Sequence, residues 1–550
     1  MGSLGQPTWV SSGGRSLAAW VHRPDDGLSR GAVVIVPSLG HEQVISYRAQ
    51  RALAVNAARR GWVAVRFSWT GEGDSEGLGT DLDAAAIWSA DLGAARQLAA
   101  ASSGHDEVDA IGFRFGAALA AGSEAPFRSR ILWAPTGGRA FLRHHATLRR
   151  ISLPEEYTIE SGGVELCRRY LPAEQAAAIR TIPDPAKLPA DGLPSGTCIL
   201  DSDGDLAEAE LFDAEHMQSR VPLGMLTSLL DRLSPGRNRA LPMWTPQDLA
   251  VVADVDSSVL VQESMVDIGP FRIPGIYASP LGAARPSRAV LLVGDAAWPK
   301  AITPWAQLAR RLAGRGIPTL RTDRRGIGDA GDVNRVREPN ALNETGIADV
   351  AEAISWLSRR SDAPVTGIGL CSGGWLLARA SARVRLDRAV MINNRAWRTS
   401  ESRYERWIED IQSTPVGALA PESPNSSAAG ERGPKAAIRA GINGSKGLVP
   451  YGARVALARL GIGETPEVVL ASTRRSTGLV LVLGDEDYSG FEAMRGLDSE
   501  ARLRSRGHTI DVIHDPRIDH ALISQLGRSA LIEVIDRLFT EDAAVVSGGR

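Results

Sequence analysis

A cysteine stands between two glycines where a buried strand turns into a helix. The stretch Gly369-Leu370-Cys371-Ser372-Gly373 follows an apolar run and precedes residues at helical spacing. A strand that turns directly into a helix strains the residue at the turn, so the positions two before and two after it must be small. Cys371 meets this requirement. Ser372 would place Leu370 two positions before it, so the register favours Cys371 as the nucleophile.

Two effects are expected to activate this thiol. The amide groups at the start of the following helix lower a thiol pKa, and a nearby histidine can hold the thiolate as an ion pair. The alternative is a structural cysteine buried at a tight strand–helix junction, because short glycine patterns are common.

An acidic partner is expected after a later strand. Gly478 to Gly484 reads as a buried strand, and Asp485-Glu486-Asp487 follows it. In a strand–turn–helix architecture of this kind, the acid follows the nucleophile in the chain and the histidine follows the acid. We predict Asp487 as the acid, in a loop deep enough to reach back, with Asp485 as the nearer competitor.

The second half of the chain holds three histidines, and their positions separate them. His508 precedes the last predicted strand, His514 ends it, and His520 lies in the loop after it. Only that loop places an imidazole where it meets both a thiol and a carboxylate. His520 is therefore the predicted base.

An oxyanion hole is expected next to the cysteine. Its donors would be the backbone amide of Ser372 and an amide after the first strand of this half, at Asp295 or Ala296. Such donors stabilise a tetrahedral oxyanion by about 3 kcal/mol each.

The elements that must position these residues alternate between strand and helix. Continuous apolar runs such as 32–36 and 289–293 are typical of strands buried on both faces. Stretches at helical spacing separate them, which predicts an α/β protein with a mainly parallel sheet and helices on both faces.

The same order of elements occurs twice. Gly326 follows Gly71 by 255 positions, and Gly369 follows Gly112 by 257. A nearly constant offset predicts two copies of one domain, at 1–258 and 259–550. Each copy carries an insertion, at about 137–193 and 395–473. Helices around Trp407 and Ile411 are expected to form a lid, and the polar stretch 421–433 a flexible excursion.

The first copy departs from the catalytic pattern. Arg114 stands where a nucleophile is required, and a guanidinium cannot attack a carbonyl. An acidic loop is present at 201–205, but the region where the pattern requires a histidine, 241–249, contains Trp244 and no histidine. This copy is expected to shape the structure of the second, while an alternative role for Arg114 is to bind a substrate carboxylate or phosphate.

These motifs resemble those of the α/β-hydrolase superfamily. The second half looks like its cysteine-nucleophile members of the dienelactone hydrolase type. The first half is similar to the hydrolases associated with exosortases in bacterial exopolysaccharide loci, and the similar stretches are 36–42, 71–77, 112–117 and 132–135. The resemblance implies two tandem α/β-hydrolase domains, each with a lid insertion.

Composition sets the remaining limits. The 550 residues are 43% hydrophobic and 23% charged, with a net charge of −2, which gives no electrostatic case for nucleic acid as a partner. The three scattered cysteines suit a reducing cytoplasm, and neither a signal peptide nor a membrane span is visible. No cofactor or metal is expected.

Two functions from different classes fit these patterns. In the first, Cys371 attacks an ester or thioester and forms an acyl-thioester, which is then hydrolysed or transferred to an alcohol or amine. An acyl group carried by coenzyme A or by a carrier protein is one candidate donor. In the second, the chain is a non-catalytic tandem pseudohydrolase that binds a ligand or a partner.

Overall fold

The computed structural model shows two sheets, each with helices on both faces. It describes residues 4–77, 83–153, 162–166, 169–200, 206–213, 218–254, 257–282, 286–295, 298–301, 303–337, 340, 342–398, 401–414 and 449–548. The expected excursion at 421–433 and the acidic loop at 201–205 lie outside the described residues.

The first sheet has seven strands, in the order β1-β2-β5-β4-β6-β7-β10. Its first two strands form an antiparallel hairpin, and the strands from β5 to β10 are parallel. The strands of the first half, including the short β3, β8, β9 and β11 outside this sheet, are β1 Gln6–Ser12, β2 Arg15–His22, β3 Leu28–Ser29, β4 Gly31–Val36, β5 Trp62–Phe67, β6 Val108–Phe113, β7 Arg130–Trp133, β8 Val164–Glu165, β9 Tyr170–Leu171, β10 Thr197–Leu200 and β11 Arg239–Ala240.

The second sheet has nine strands, in the order β12-β13-β14-β16-β15-β17-β18-β19-β20. The pairings of β12 with β13, β13 with β14 and β14 with β16 are antiparallel, and the strands from β16 to β20 are parallel. The strands are β12 Leu249–Ala253, β13 Leu260–Ile268, β14 Ile273–Pro280, β15 Ala289–Val293, β16 Thr319–Thr322, β17 Val365–Leu370, β18 Arg388–Ile392, β19 Gly478–Leu483 and β20 Ile510–His514. The first strand of this sheet lies ahead of the expected boundary between residues 258 and 259.

Helices pack on both faces of each sheet. The α-helices of the first half are Gly40–Arg59, Ala84–Ser103, Arg114–Gly122, Gly138–Ser152, Ala173–Arg180 and Leu223–Asp231, with a short turn at Leu206–Glu208. Those of the second half are Thr303–Gly314, Glu344–Ser361, Ser372–Ser381, Glu401–Ser413, Tyr451–Arg459, Pro466–Leu470, Asp485–Ala493, Gly496–Ser505 and Gln525–Gly548.

Alternating side chains of the central strands divide the core into layers. In β15, Leu291 packs among the helices on one face, while Val290 and Leu292 pack among those on the other. A strand buried on both faces must be apolar at every position, which explains the continuous apolar runs in the sequence.

The two sheets share the strand order of the α/β-hydrolase fold, and the expected α/β architecture is confirmed. From β13 onward the second sheet has eight strands. In the sheet β16 lies before β15, although it follows β15 in the sequence, and β14 is antiparallel to both of its neighbours. The first sheet repeats this order through seven strands and ends at β10. Among the described residues of the first sheet there is no counterpart of β20, which in the second sheet leads to His520.

The two units, meaning the parts of the chain built on the first and the second sheet, meet through buried ion pairs. Arg66 of the first unit lies 2.8 Å from Asp329 of the second. Arg321 of the second lies 2.9 Å from Asp74 of the first. Arg66 and Arg321 occupy matching positions of the two copies, as do Asp74 and Asp329, so the pairs are reciprocal, as in the interface of a twofold dimer.

Candidate active site

Cys371 occupies a strained turn between β17 and the helix Ser372–Ser381. Its φ of 46° and ψ of −111° lie outside the regions that side chains favour. Its amide donates to the carbonyl of Ile392 at 2.7 Å, which fixes the turn against β18. Ser372 is the first residue of the regular helix. The turn therefore carries Cys371, as the register predicts.

The two flanking glycines are required by close backbone contacts. A Cβ on Gly369 would lie 2.4 Å from the carbonyl carbon of Gly373, and a Cβ on Gly373 would lie 2.5 Å from the carbonyl oxygen of Val293. No real Cβ makes such contacts with backbone atoms. The glycine spacing is therefore a direct consequence of the turn at Cys371.

His520 and Asp487 form a hydrogen-bonded pair beside this turn. The Nδ1 atom of His520 lies 2.9 Å from each carboxylate oxygen of Asp487. The Asp487 side chain is 1% exposed, whereas that of His520 is 25% exposed. A ring nitrogen of His520 lies within 4.8 Å of the Cys371 sulfur. The His520 ring thus lies between the Asp487 carboxylate, to which it is hydrogen-bonded, and the Cys371 sulfur.

The competing acid and histidine pair with each other instead. His514 Nε2 lies 3.1 Å from the carboxylate of Asp485, and its ring stacks on Tyr488 with the centroids 4.2 Å apart. Asp485 is therefore engaged away from His520.

One local expectation about the acid was wrong. Asp485, Glu486 and Asp487 do not lie in an open loop, because they form the first turn of the helix Asp485–Ala493. Carboxylates in a first turn interact favourably with the unpaired amides of the helix. The orientation of Asp487 is consequently fixed by helix geometry rather than by a loop.

Asp295 places a carboxylate next to Cys371, which sequence reasoning missed. Its Oδ1 accepts from the backbone amide of Ser372 at 3.3 Å and from the Ser372 hydroxyl at 3.2 Å. The sequence predicted only a backbone role for this residue, although an acidic residue two positions after β15 must lie at the edge of the sheet that carries Cys371. The Ser372 amide, which is the expected oxyanion donor, thus already donates to the Asp295 side chain. Ala296 lies outside the described residues.

The thiol environment differs from the one expected. Burial raises the pKa of the Cys371 thiol well above its usual value, the carboxylates of Asp295 and Asp487 raise it further, and Arg395 opposes them. The expectation of a lowered thiol pKa was therefore wrong, because burial and the two carboxylates act in the opposite direction. Cys371 rests as a thiol, and a nucleophilic sulfur requires proton transfer to His520 at the moment of attack.

Two further residues in the connection after β18 support the pair. The buried amide group of Asn393 donates to the carbonyls of Asp519 and His520 at 3.0 and 3.1 Å, and its oxygen accepts from the amide of Gly484 at 2.9 Å. Arg395 binds the carboxylate of Asp487 and lies 2.9 Å from Glu486. Asn393 therefore connects the acid and histidine segments, and Arg395 places a cation on the acid.

A helix is present at Glu401–Ser413, where the sequence predicts a lid helix. Tyr404 and Ile411 are buried, and Trp407 packs against the core. The Tyr404 ring meets that of Trp375 edge-on at 6.2 Å, and its hydroxyl accepts from the amide of Arg398 at 3.2 Å. The helix thus packs directly on the helix that begins at Ser372.

The corresponding turn in the first unit carries Arg114. Its backbone has a φ of 49°, and Gly112 and Gly116 are again required by backbone contacts. The guanidinium is bound by the carboxylates of Glu42 and Glu208 and lies over the ring of Phe212. Two carboxylates compensate the cation, which favours a structural role for Arg114 over anion binding.

The surroundings of Arg114 contain a neutral histidine. His145, from the insertion, accepts from the amide of His41 at 3.2 Å, and burial lowers its pKa to about 4. Trp244, which stands where a histidine was due, packs against the core of the first unit.

The side chains of Asp295, Cys371 and His520 also meet a distance criterion for a shared metal ion. One donor atom of each lies within 4.8 Å of the others. Carboxylate, thiolate and imidazole are all zinc ligands, and catalytic zinc sites use three protein ligands. A test of the site therefore needs a chelator control.

In the part of the chain that the structure describes, none of the helices is long and apolar enough to cross a membrane. The expectation from the sequence agrees with this finding.

Comparison with known proteins finds similarity at the level of fold. No family model and no curated protein matches the chain. A dienelactone hydrolase from Anabaena variabilis is 14% identical, with 51% of this chain and 98% of that one covered and a TM-score of 0.32. The structure of DcsB in complex with its substrate analogue is 18% identical, with 52% of this chain and 99% of that one covered and a TM-score of 0.32. Esterase Est22 is 12% identical, with 51% of this chain and 80% of that one covered and a TM-score of 0.33. Each covers about half of this chain, and the strand order of both sheets is that of the α/β-hydrolase fold.

Proposed function

We propose that the second unit is an acyl-chemistry enzyme with Cys371 as nucleophile, His520 as base and Asp487 as orienting acid. The observation that carries the proposal is the alignment of these three side chains at a strained turn. The hydrogen bond from Nδ1 to Asp487 leaves the other ring nitrogen of His520 available to accept the thiol proton.

The proposed reaction has two steps. In the first, the sulfur bonds to the carbonyl carbon of an ester or thioester while His520 takes the thiol proton. The leaving alcohol or thiol receives that proton as its bond to carbon breaks. In the second, His520 takes a proton from water, an alcohol or an amine, which attacks the acyl-thioester and releases Cys371 as a thiol.

Stabilisation of the oxyanion requires a change at Asp295. The Ser372 amide is aimed at the position where a tetrahedral oxygen would form, but it now donates to the Asp295 carboxylate. Two negative oxygens cannot share this donor. Substrate must therefore displace the Asp295 side chain from the Ser372 amide.

The choice of substrate follows from the chemistry of the sulfur. A cysteine exchanges acyl groups readily with thioesters, so acyl groups linked to coenzyme A or to a carrier protein are candidate donors alongside simple esters. The resemblance of the second half to dienelactone hydrolases favours a small ester. The resemblance of the first half to exosortase-associated hydrolases favours a role in bacterial polysaccharide production.

A non-catalytic tandem pseudohydrolase is the second candidate. Two observations favour it: the first unit keeps the fold with an arginine at its turn, and Asp295 both covers the Ser372 amide and raises the pKa of Cys371. Under this proposal the second unit would bind a ligand or partner without turning it over.

Intact-mass measurement separates the two candidates. The full chain is incubated with a panel of acyl-thioesters and activated esters, in the presence and absence of a chelator. We expect one acyl adduct, which peptide mapping locates at Cys371. The adduct should then be lost at a rate that is the same with and without the chelator. Cys198, a second free cysteine, serves as the internal control for unspecific acylation. An unmodified chain across the whole panel favours the pseudohydrolase.

A further inference from the structure

We propose that the first unit positions two active-site loops of the second unit, through Asp74 and Glu165. This inference rests on the proposed function and assigns these two residues of the arginine-bearing unit a positioning role in it. One contact fixes the connection that carries Asp295. The other fixes the start of the helix that follows His520.

The first contact centres on Lys300, in the connection between β15 and the helix Thr303–Gly314. Its ammonium lies 2.9 Å from Asp329, 3.2 Å from Asp323 and 3.7 Å from Asp74 of the first unit. Its backbone amide donates to Asp323 at 2.6 Å. The side chain is 3% exposed. The connection that begins with Asp295 is therefore anchored at Lys300 against both units.

Asp74 is itself held firmly. Its carboxylate lies 2.9 Å from Arg321, and its backbone carbonyl accepts from Arg310 at 2.6 Å. Both arginines bind Glu263. A buried charge keeps its position only where such partners surround it, because an unpaired charge in the interior is strongly destabilising. Asp74 thus presents a fixed carboxylate to Lys300.

The second contact involves Glu165, in the insertion of the first unit. Its side chain is fully buried and binds Arg149 through one oxygen. The other oxygen accepts from the backbone amide of Gln525, the first residue of the helix Gln525–Gly548. A carboxylate at a helix start satisfies an amide that has no partner within the helix. The first unit therefore fixes the downstream end of the His520 loop.

Both loops border Cys371, so these contacts bear on the geometry of the reaction. Asp295 in one connection and His520 in the other each place a side-chain donor atom within 4.8 Å of the Cys371 sulfur. A displacement of about 1 Å at a catalytic group can cost on the order of a hundredfold in rate. Loss of Asp74 or Glu165 should therefore lower the rate of the chemical step more than it weakens substrate binding.

The test uses full-length variants Asp74→Asn and Glu165→Ala, with Arg128→Ala as matched control. Arg128 pairs with Asp109 within the first unit. Its loss should lower stability without touching either loop. We measure kcat, KM, the rate of alkylation of Cys371 by iodoacetamide, and the free energy of unfolding. We expect kcat to fall about 10- to 100-fold in both variants with KM within about threefold, and Arg128→Ala to keep kcat within about twofold.

Unchanged kcat in Glu165→Ala overturns the proposal, as does an equal loss of kcat in Arg128→Ala at similar stability. If Asp74→Asn does not fold, Glu165→Ala carries the test alone. If the wild-type chain turns over no substrate, the proposed function fails. In that case a changed alkylation rate of Cys371 in Glu165→Ala still supports the positioning role. An unchanged alkylation rate overturns the positioning role.

Discussion

Arg114 and Cys371 occupy the same point of two duplicated units, and both have a positive φ, of 49° and 46° respectively. In each case the residue lies where a buried strand turns into a helix, between two glycines whose added Cβ atoms would collide with backbone. The strain is thus a property of the fold, and the side chain at the turn decides what each unit can do. Arg114 gives the first unit a guanidinium at this turn, and Cys371 gives the second unit a thiol.

Cys371→Ala should abolish acyl transfer and adduct formation with little effect on stability. The change removes one sulfur atom and should alter the free energy of unfolding by at most about 1 kcal/mol. Intact-mass analysis with the best acyl donor, together with urea unfolding, measures both effects. An adduct on Ser372 in this variant would contradict the assignment of the nucleophile.

Asp295→Asn should lower the pKa of the Cys371 thiol. A nearby carboxylate destabilises a thiolate by repulsion, so its neutral replacement favours the thiolate at lower pH. The pH profile of iodoacetamide alkylation, mapped to Cys371, should move toward lower pH. Asp485→Asn is the matched control, because that carboxylate pairs with His514, and it should leave the profile in place.

His520→Ala should lower kcat by about 10² to 10⁴ fold, the usual contribution of a general base. His514→Ala and His508→Ala should retain most of the activity, because neither residue is hydrogen-bonded to Asp487 in the described structure. Steady-state kinetics on the three variants provide the comparison. Greater damage from His514→Ala than from His520→Ala would show that the base is misassigned.

Arg114→Ala should keep kcat within a few-fold but destabilise the first unit by about 3 kcal/mol, because it leaves the buried carboxylate of Glu42 without its cation. Glu42→Gln in the same chain should recover part of that loss. Denaturant unfolding of the single and double variants measures the recovery. A large rise in KM at unchanged stability would instead assign Arg114 to substrate binding.

Acid should weaken the buried ion pairs that Glu263 makes with Arg310 and Arg321 of its own unit. Burial alone would raise the pKa of Glu263, but Arg310 and Arg321 overcome it and lower the pKa to about 2. A depressed pKa contributes stability above the unfolded value of 4.5, and that stability is lost as the pH falls from there toward 2.

Glu263→Gln provides the check on this pH dependence. It should be less stable than the wild type near pH 7, and the difference should shrink as the pH falls below 4.5. The free energy of unfolding, measured from pH 7 to pH 2.5, follows both proteins. A difference that stays constant with pH would show that Glu263 does not titrate as expected.

The sequence by itself determined the duplicated α/β architecture and the identity of the residue at each turn. These features depend on local constraints, since a strand–helix turn tolerates only small flanking residues and a strand buried on both faces must be apolar throughout. For the same reason Cys371 could be distinguished from Ser372, and the order of nucleophile, acid and histidine could be anticipated. The geometry of Asp487 and His520 agrees with that order.

Only the tertiary structure decided the electrostatics of the site and the relation of the two units. The carboxylate of Asp295 reaches the Ser372 amide across 77 residues of chain, and Arg66 pairs with Asp329 across 263. Charges at such separations have no local signature, because their pairing depends on which strands lie side by side. The pKa of Cys371 is therefore raised by burial and two carboxylates, where the turn and its helix alone predicted the opposite.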